Sequence, residues 1–168
     1  IPNGEHHLTP ELIEKIKQKD VTTVGGKSNW LMIELPWEGM PNLENVFFHL
    51  QSMGYNYLIV HPERYRWLEP ELLARLVIRG AKVQLQLGSF LNMYGPDAQT
   101  KAFYYLASGF GHVLATDLHS PDESYSWITD SMALIKKKYG TEKLELATLT
   151  NPQKIIADYK PDDIDPIV

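Results

Sequence analysis

Cysteine is absent from this sequence of 168 residues. The chain therefore has no disulfides, no thiolate metal ligands and no thiol nucleophile, so covalent catalysis through a cysteine is excluded. A cytoplasmic location agrees with this composition, but a lack of cysteine is compatible with any compartment.

Long apolar runs and clustered basic residues are also missing. No apolar stretch approaches the roughly 20 residues that cross a bilayer, so we expect no membrane insertion. The formal net charge is -5, and no basic run stands out. We therefore expect no nucleic acid partner, because binding to a phosphate backbone requires concentrated positive charge. With 43% hydrophobic residues, the chain can still form one domain with a hydrophobic core.

The residues that are present predict strands alternating with helices. Apolar runs begin near residues 31, 57, 82 and 112, and such spacings match the length of a βα unit. The runs are apolar without alternation, as in parallel strands that are covered on both faces. We therefore predict an α/β fold with a parallel sheet, either an open doubly wound sheet or a (β/α) barrel, within residues 1–158.

Local signals predict where several helices begin and end. Asn42 is a predicted N-cap and Gly54 a predicted C-terminal stop for the helix between the first two strands. Two further helices are predicted near residues 124–138 and 151–157. The acidic, proline-containing residues 159–168 are expected to form a loosely held terminus.

Potential metal ligands fall at the carboxyl ends of the predicted strands. They comprise three carboxylates and two histidines: Glu5, Glu34, His61, Asp117 and His119. Carboxylates and imidazoles together suit divalent ions such as Mn²⁺, Fe²⁺, Zn²⁺ and Mg²⁺. In a barrel, these strand ends meet at one mouth, where active sites lie. Metal ions there would lower the pKa of bound water to about 7 and generate a hydroxide nucleophile.

Arg64 follows His61 by three residues and would reach over such a site. Its planar guanidinium matches the oxygens of a phosphate group. Glu63 lies between these two residues.

When the pattern is considered alone, structural roles for these residues are as well supported as a metal site. A single histidine at a strand end is typically hydrogen-bonded for structural reasons, and Glu34 could cap a helix or pair with a lysine. The strand near residue 82 carries only the weak ligands Gln84 and Gln86. His6 and His7 are expected on a loop or rim, His49 on the surface, and His112 at the opposite end of the sheet.

Three segments, in this order and at these separations, resemble one known family. They are LMIELPW at 31–37, IVHPERYRWL at 59–68 and LATDLHSP at 114–121. They are similar to the metal-dependent bacterial protein tyrosine phosphatases of capsular and exopolysaccharide operons, which belong to the polymerase-and-histidinol-phosphatase (PHP) superfamily. HPERY is the most specific piece, and the similarity extends over almost all of residues 1–158.

The resemblance implies a distorted, TIM-like (β/α)7 PHP barrel, of which this chain is the C-terminal part. It also implies a cluster of up to three metal ions, manganese in the first instance, with Fe, Zn, Mg and Co as alternatives. The implied substrate is a phosphotyrosine protein, the tyrosine-rich tail of a partner autokinase that controls polysaccharide export.

Residue roles follow from the same resemblance. Glu5 matches a bridging ligand, and Glu34 and His61 match ligands of one ion. Asp117 and His119 match further ligands. Arg64 matches the arginine that holds the phosphate, so His61, Arg64 and Asp117 form the implied catalytic set.

The sequence departs from the family at its start. A D-x-H-x-H strand, a G-x-D-D-G loop and a T-P-H segment open the family domain, and none of them occurs here. Because Ile1 begins in mid-pattern without Met, we expect a fragment of a longer protein. The alternatives are that another chain supplies the missing part or that this is a degenerate homologue. An incomplete barrel would leave exposed edge strands, which are also compatible with an oligomer.

Two other functions stay open. The first is a PHP hydrolase of a small phosphate ester such as histidinol phosphate. The second is a catalytically inactive PHP scaffold that binds no metal.

Overall fold

The computed structural model describes residues 4–119 and 125–167 of the chain. Five parallel strands form a sheet in which neighbours in sequence are also neighbours in space. The strands are β1 (Glu5–His7), β2 (Trp30–Glu34), β3 (Asn56–Val60), β4 (Lys82–Gln86) and β5 (Val113–Ala115). The last four begin within one residue of their predicted starts, which confirms the α/β fold with a parallel sheet.

The helices alternate with these strands and then close the chain. They are α1 (Pro10–Lys17), α2 (Leu43–Ser52), α3 (Pro70–Ile78), α4 (Leu87–Phe90), α5 (Pro96–Ala107), α6 (Ser126–Tyr139), α7 (Thr141–Glu145) and α8 (Asn151–Ile156). A π-helical segment, Leu146–Thr150, joins α7 to α8. Among the described residues, no helix combines the length and apolar character that a membrane span requires.

Capping explains where some helices begin. Thr9 caps α1, because its Oγ1 accepts a hydrogen bond from the Leu12 N–H at 3.3 Å. Asn42 occupies the predicted N-cap position of α2, but its backbone is left-handed and its side chain makes no capping bond. The predicted helix start at residue 124 lies outside the described residues, and α6 begins at Ser126.

The strand order contains no reversal point, which a doubly wound sheet would have. Each crossover carries at least one helix, and parallel crossovers are right-handed, so the crossover helices cover the same face of the sheet. The largest hydrophobic cluster agrees, since it joins that face to five helices through Leu12, Phe47, Leu76, Tyr105 and Ile135. Burial of each such side chain contributes about 1.5–3 kcal/mol before entropy is counted.

A smaller hydrophobic cluster lies on the opposite face of the sheet. Trp30, Leu58 and Val113 form it together with Ile155 and Ile164 from the end of the chain. The C-terminal segment thus packs against the face of the sheet that the crossover helices leave uncovered.

The expectation of a loosely held terminus is therefore wrong for the described part of residues 159–168. Ile164 and Ile167 are buried, and the Ile167 N–H donates a hydrogen bond to the Gly111 carbonyl at 2.9 Å. Lys82 Nζ also donates to the Ile164 carbonyl at 3.0 Å. Burial of these two isoleucines outweighs the disorder that the acidic and proline residues would favour.

Candidate metal centre

Three of the predicted ligands meet at one end of the sheet, where Glu5 begins β1, Glu34 ends β2 and His61 directly follows β3. His61 Nε2 lies 3.0 Å from Glu5 Oε1 and 3.8 Å from Glu34 Oε1. Each of the three side chains offers a ligand atom, and these atoms all lie within 4.8 Å of one another. We call Glu5, Glu34 and His61 the acidic cluster.

Strand register explains how Glu5 reaches the acidic cluster. The sequence predicted Glu5 at the end of a strand, whereas it begins the described β1, and His7 ends that strand. Glu5 pairs with Met32, two residues before Glu34. Side chains two residues apart on a strand point to the same face, so Glu5 and Glu34 still share a face.

The backbone turns sharply after β3 and β5, where two predicted site residues lie. His61 has φ 38° and Asp117 has φ 55°, both in the left-handed region. Non-glycine residues rarely adopt this region, and such conformations concentrate at functional sites. The turn at His61 ends β3 and begins a 3-10 turn, Pro62–Arg64.

Electrostatics in the acidic cluster favour a bound cation. The hydrogen bond with His61 lowers the pKa of the Glu5 carboxyl, and the charges of His61, His119 and His7 act in the same direction against the opposing effect of burial. Glu5 is therefore ionised at neutral pH. Two carboxylates and an imidazole at this separation are a donor set that fits a divalent ion such as Mn²⁺ or Zn²⁺.

His7 also belongs to this edge of the sheet, although the sequence placed it on a loop or rim. Its Nδ1 lies 2.9 Å from Glu34 Oε2, while Glu34 Oε1 faces His61. The imidazole of His7 can thus orient the Glu34 carboxylate without entering the acidic cluster.

Glu63 connects the turn after β3 to the end of β4. Its Oε1 accepts hydrogen bonds from the Gln86 N–H at 2.8 Å and from Ser89 Oγ at 2.7 Å. The side chain is buried, which raises its pKa despite these two donors. Among the described residues, its second oxygen, Oε2, has no hydrogen-bond partner. Glu63 therefore fixes the segment that carries His61 and Arg64.

Gln86 links the two remaining parts of the site. Its Oε1 accepts from Arg64 Nη1 at 3.4 Å, and its Nε2 donates to Asp117 Oδ2. Arg64 Nη1 also lies 3.5 Å from the same Asp117 oxygen. The amide of Gln86 is fully buried, so it can hold the guanidinium and the carboxylate in a fixed relation.

His119 lies at the rim of this arrangement. Its Nδ1 is 2.8 Å from the Asp117 carbonyl oxygen and 3.6 Å from Asp117 Oδ1. Its side chain is mostly exposed. The charge of His119 helps to lower the pKa of the Glu5 carboxyl, so His119 acts electrostatically on the acidic cluster.

Sequence reasoning assigned no supporting role to three residues that hold the site together: His7, Glu63 and Gln86. Gln86 ends β4 as Glu34 ends β2, and this shared position was the signal that could have identified it. Glu63 gave no such signal, because a buried carboxyl looks the same in sequence as an exposed one.

The fold and the acidic cluster define a parallel α/β protein with a candidate divalent-metal centre at the carboxyl ends of its strands. Residues 2–157 match the family described as Capsular polysaccharide synthesis, CpsB/CapC. The chain belongs to this family, which confirms the resemblance found in the sequence.

Two curated proteins that are similar to this chain agree with its assignment to this family. CapC of Staphylococcus aureus is 31% identical over 144 residues, which cover 84% of this chain and 53% of CapC. The tyrosine-protein phosphatase YwqE of Bacillus subtilis is 26% identical over 145 residues, which cover 84% of this chain and 57% of YwqE. The chain thus spans about half the length of these curated relatives.

A solved structure shares the fold. It comes from the crystal structures of YwqE from Bacillus subtilis and CpsB from Streptococcus pneumoniae, which are described as unique metal-dependent tyrosine phosphatases. The TM-score is 0.84 at 24% identity, with 99% of this chain and 66% of that chain covered.

Proposed function

We propose that this chain is the metal-binding part of a metal-dependent protein-tyrosine phosphatase of capsular and exopolysaccharide synthesis. The observation that carries the proposal is the acidic cluster at the end of the sheet where Arg64 also pairs with Asp117. Anionic ligands there attract divalent cations, and the guanidinium supplies a fixed positive charge for a phosphate.

Glu5, Glu34 and His61 would hold a divalent ion, manganese in the first instance. Asp117 and His119 would serve as further ligands in a complete site of up to three ions. When bound, such ions supply Lewis acidity toward phosphate oxygens and water. Support for the fit is the ionised state of Glu5 and the mutual distance of at most 4.8 Å between ligand atoms.

Arg64 orients the phosphate in this proposal. Its fork of N–H donors binds phosphate oxygens and offsets the charge that spreads over them during transfer. Gln86 and Asp117 restrain the guanidinium, so little side-chain freedom is lost when the phosphate binds. His61 and Asp117 complete the catalytic set as ligands on either side of Arg64.

The reaction is hydrolysis of a phosphate monoester. A water oxygen adds to phosphorus, the bond from phosphorus to the phenol oxygen breaks, and the released phenolate takes up a proton. A cysteinyl-phosphate intermediate is closed to this chain because it contains no cysteine. The proposal therefore assigns the transfer to direct attack by water.

The substrate in this proposal is a phosphotyrosine protein in the cytoplasm, the tyrosine-rich tail of an autokinase that controls polysaccharide export. The names of YwqE and CpsB, both tyrosine-protein phosphatases, support this substrate class. The fold would be the C-terminal part of a distorted PHP-type (β/α)7 barrel. Support comes from the sequential strand order, which is that of a barrel segment.

Hydrolysis of a phosphotyrosyl peptide with added Mn²⁺ tests the proposal, with His61→Ala and His49→Ala compared. We expect Mn²⁺-dependent release of phosphate, a loss of about 10–100-fold or more in His61→Ala, and no change in His49→Ala. His49 is a suitable control because it is exposed on α2.

Different outcomes would contradict different parts of the proposal. Faster hydrolysis of histidinol phosphate than of the peptide would replace the substrate class by a small phosphate ester. Hydrolysis of the peptide without Mn²⁺, or equal activity in His61→Ala, would contradict the metal-dependent mechanism.

A further inference from the structure

Two aromatic rings border Arg64 at the mouth of the site. The guanidinium carbon lies 5.1 Å from the centroid of Trp37 and 4.5 Å from that of Tyr94. Trp37 is 50% exposed and Tyr94 is 37% exposed. Rings of this size usually bury most of their surface, so exposed aromatic area beside a candidate phosphate-binding arginine suggests a role in ligand binding.

The ring of Trp37 is held in place despite its exposure. The two residues that precede it are held by hydrogen bonds, because Tyr65 Oη accepts from the Leu35 N–H at 3.0 Å and Trp67 Nε1 donates to the Pro36 carbonyl at 2.9 Å. Trp37 also packs against Tyr65, with ring centroids 4.9 Å apart. A ring that is ordered before binding loses little entropy when a ligand stacks on it.

Trp37 also lies between Arg64 and the acidic cluster, because its ring neighbours both Arg64 and His61. Its ring is stacked with that of His61, at 6.1 Å between centroids and 12° between planes. The same indole thus contacts a candidate metal ligand and the candidate phosphate-binding Arg64.

The ring of Tyr94 has its own local support. Tyr94 lies in the turn between α4 and α5, where it packs against Gly88. A Cβ at position 88 would lie 3.1 Å from the Tyr94 ring and 2.9 Å from Met93 Sδ. The absence of a side chain at Gly88 therefore permits the close approach of Tyr94.

Together with Arg64, Tyr94 borders a cavity of about 520 Å³. Asp117 and His119 line the same cavity, so the exposed ring lies next to the candidate metal ligands of the last strand end.

We infer that Trp37 and Tyr94 form a subsite for the aromatic ring of an aryl phosphate, and this inference rests on the proposed function. In phosphotyrosine, a single ester oxygen separates the ring from phosphorus. A phosphate bound by Arg64 therefore brings its aryl group against whichever side chains border that guanidinium. Stacking on these rings stabilises an aryl phosphate, whereas an alkyl phosphate such as phosphoserine has no ring to stack.

The inference predicts selectivity rather than general affinity. Stacking of two aromatic rings typically contributes enough free energy to change a binding constant by about 2- to 10-fold. If the two rings serve only to hold Arg64, their loss would weaken aryl and alkyl phosphates equally. The ratio between the two ligand classes separates these roles.

The test compares the dissociation constants of phenylphosphonate and methylphosphonate by calorimetry, in the presence of Mn²⁺. We expect the wild-type chain to bind phenylphosphonate about 2- to 10-fold more tightly. Trp37→Leu and Tyr94→Leu should each reduce this preference, and Trp37→Phe should largely retain it because an aromatic face remains. Phe48→Leu, which changes an exposed ring on α2, should leave the preference unchanged.

Equal affinity for the two phosphonates, or no binding of either, would overturn the inference. A fall of the same size for both ligands in Trp37→Leu would also overturn it. Hydrolysis of a phosphotyrosyl peptide, measured in parallel, tests the proposed function separately, because phosphonates bind without being hydrolysed. An aryl preference without hydrolysis would support the subsite and contradict the phosphatase.

Discussion

Two buried histidines lie at opposite ends of the sheet, and their surroundings differ in almost every respect. His61 follows β3 at the carboxyl end and is 2% exposed, while His112 precedes β5 at the amino end and is 1% exposed. Equal burial therefore does not distinguish them. The groups around each imidazole do, and they assign the two residues to different roles.

His112 is part of the packed structure. Its Nδ1 accepts a hydrogen bond from the Val83 N–H at 3.3 Å, and its carbonyl accepts one from Asn151 Nδ2 at 2.8 Å. Burial lowers the pKa of His112 to about 3, and the nearby charge of Lys82 adds to the shift. The imidazole is therefore neutral at physiological pH and serves as a hydrogen-bond acceptor between β4 and β5.

His61 faces anionic groups instead. Glu5 and Glu34 both approach its Nε2, while its Nδ1 is buried and has no hydrogen-bond partner in the part of the chain that the structure describes. Because one of its nitrogens is unmatched among the described residues, the imidazole of His61 adds less to the stability of the fold than the imidazole of His112 does. The difference indicates that the amino end of the sheet stabilises the fold, whereas the carboxyl end holds charges for a ligand.

Metal binding gives the largest expected difference between the two histidines. His61→Ala should weaken Mn²⁺ binding by about 10–100-fold or more, because it removes a candidate ligand from the acidic cluster. His112→Ala should leave Mn²⁺ binding unchanged, since its imidazole lies at the other end of the sheet. Calorimetric titration of the metal-free chain with Mn²⁺ measures both variants, and similar losses in the two would remove the distinction.

The free energy of unfolding should instead depend on His112, which has no expected effect on metal binding. His112→Leu leaves the buried Val83 N–H without an acceptor, so we expect the free energy of unfolding to fall by about 1–3 kcal/mol. His49→Leu, on the exposed surface of α2, should change it by no more than about 0.5 kcal/mol. Urea unfolding measures both. If His112→Leu lowered the free energy of unfolding by no more than about 0.5 kcal/mol, the stability of the amino end would not depend on this hydrogen bond.

Much of the fold could be predicted because its signals are local. The strands β2, β3 and β5 are mostly apolar runs, and the regular spacing of β2 to β5 predicts a parallel sheet. β1 has three residues, Glu5–His7, and none of them is apolar, so no hydrophobic pattern marks where this strand begins and ends. The burial of Ile164 and Ile167 was also missed, because two isolated isoleucines among acidic residues do not indicate a packed segment.

The site could be predicted only in part, for a similar reason. Parallel strands end at one edge, so the sequence alone suggested that Glu34 and His61 would be close. The supporting contacts depend on which polar groups become buried. Glu63 has nothing in sequence that distinguishes it from a surface residue, and the position of Gln86 at a strand end does not show which groups it joins. The difference between His61 and His112 likewise appears only when their neighbours are known.

The pH dependence of stability gives the smallest effect and the most specific test of the amino end. The folded-state pKa of His112 is about 3, below its ordinary value of about 6.5. Between these values the unfolded chain binds a proton that the folded chain does not. This contribution to stability is therefore complete above pH 6.5 and is lost as the pH falls, by up to about 1.4 kcal/mol per pH unit.

The His112→Leu variant isolates this contribution because it lacks the titrating group while other ionisable groups are kept. Unfolding in urea at pH 7, 6 and 5 should show a steeper decline for the wild-type chain than for the variant. Parallel declines would mean that His112 is protonated in the folded state as readily as in the unfolded state. The imidazole would then have to reach solvent or a carboxylate, and the two ends of the sheet would no longer differ in how they treat a buried histidine.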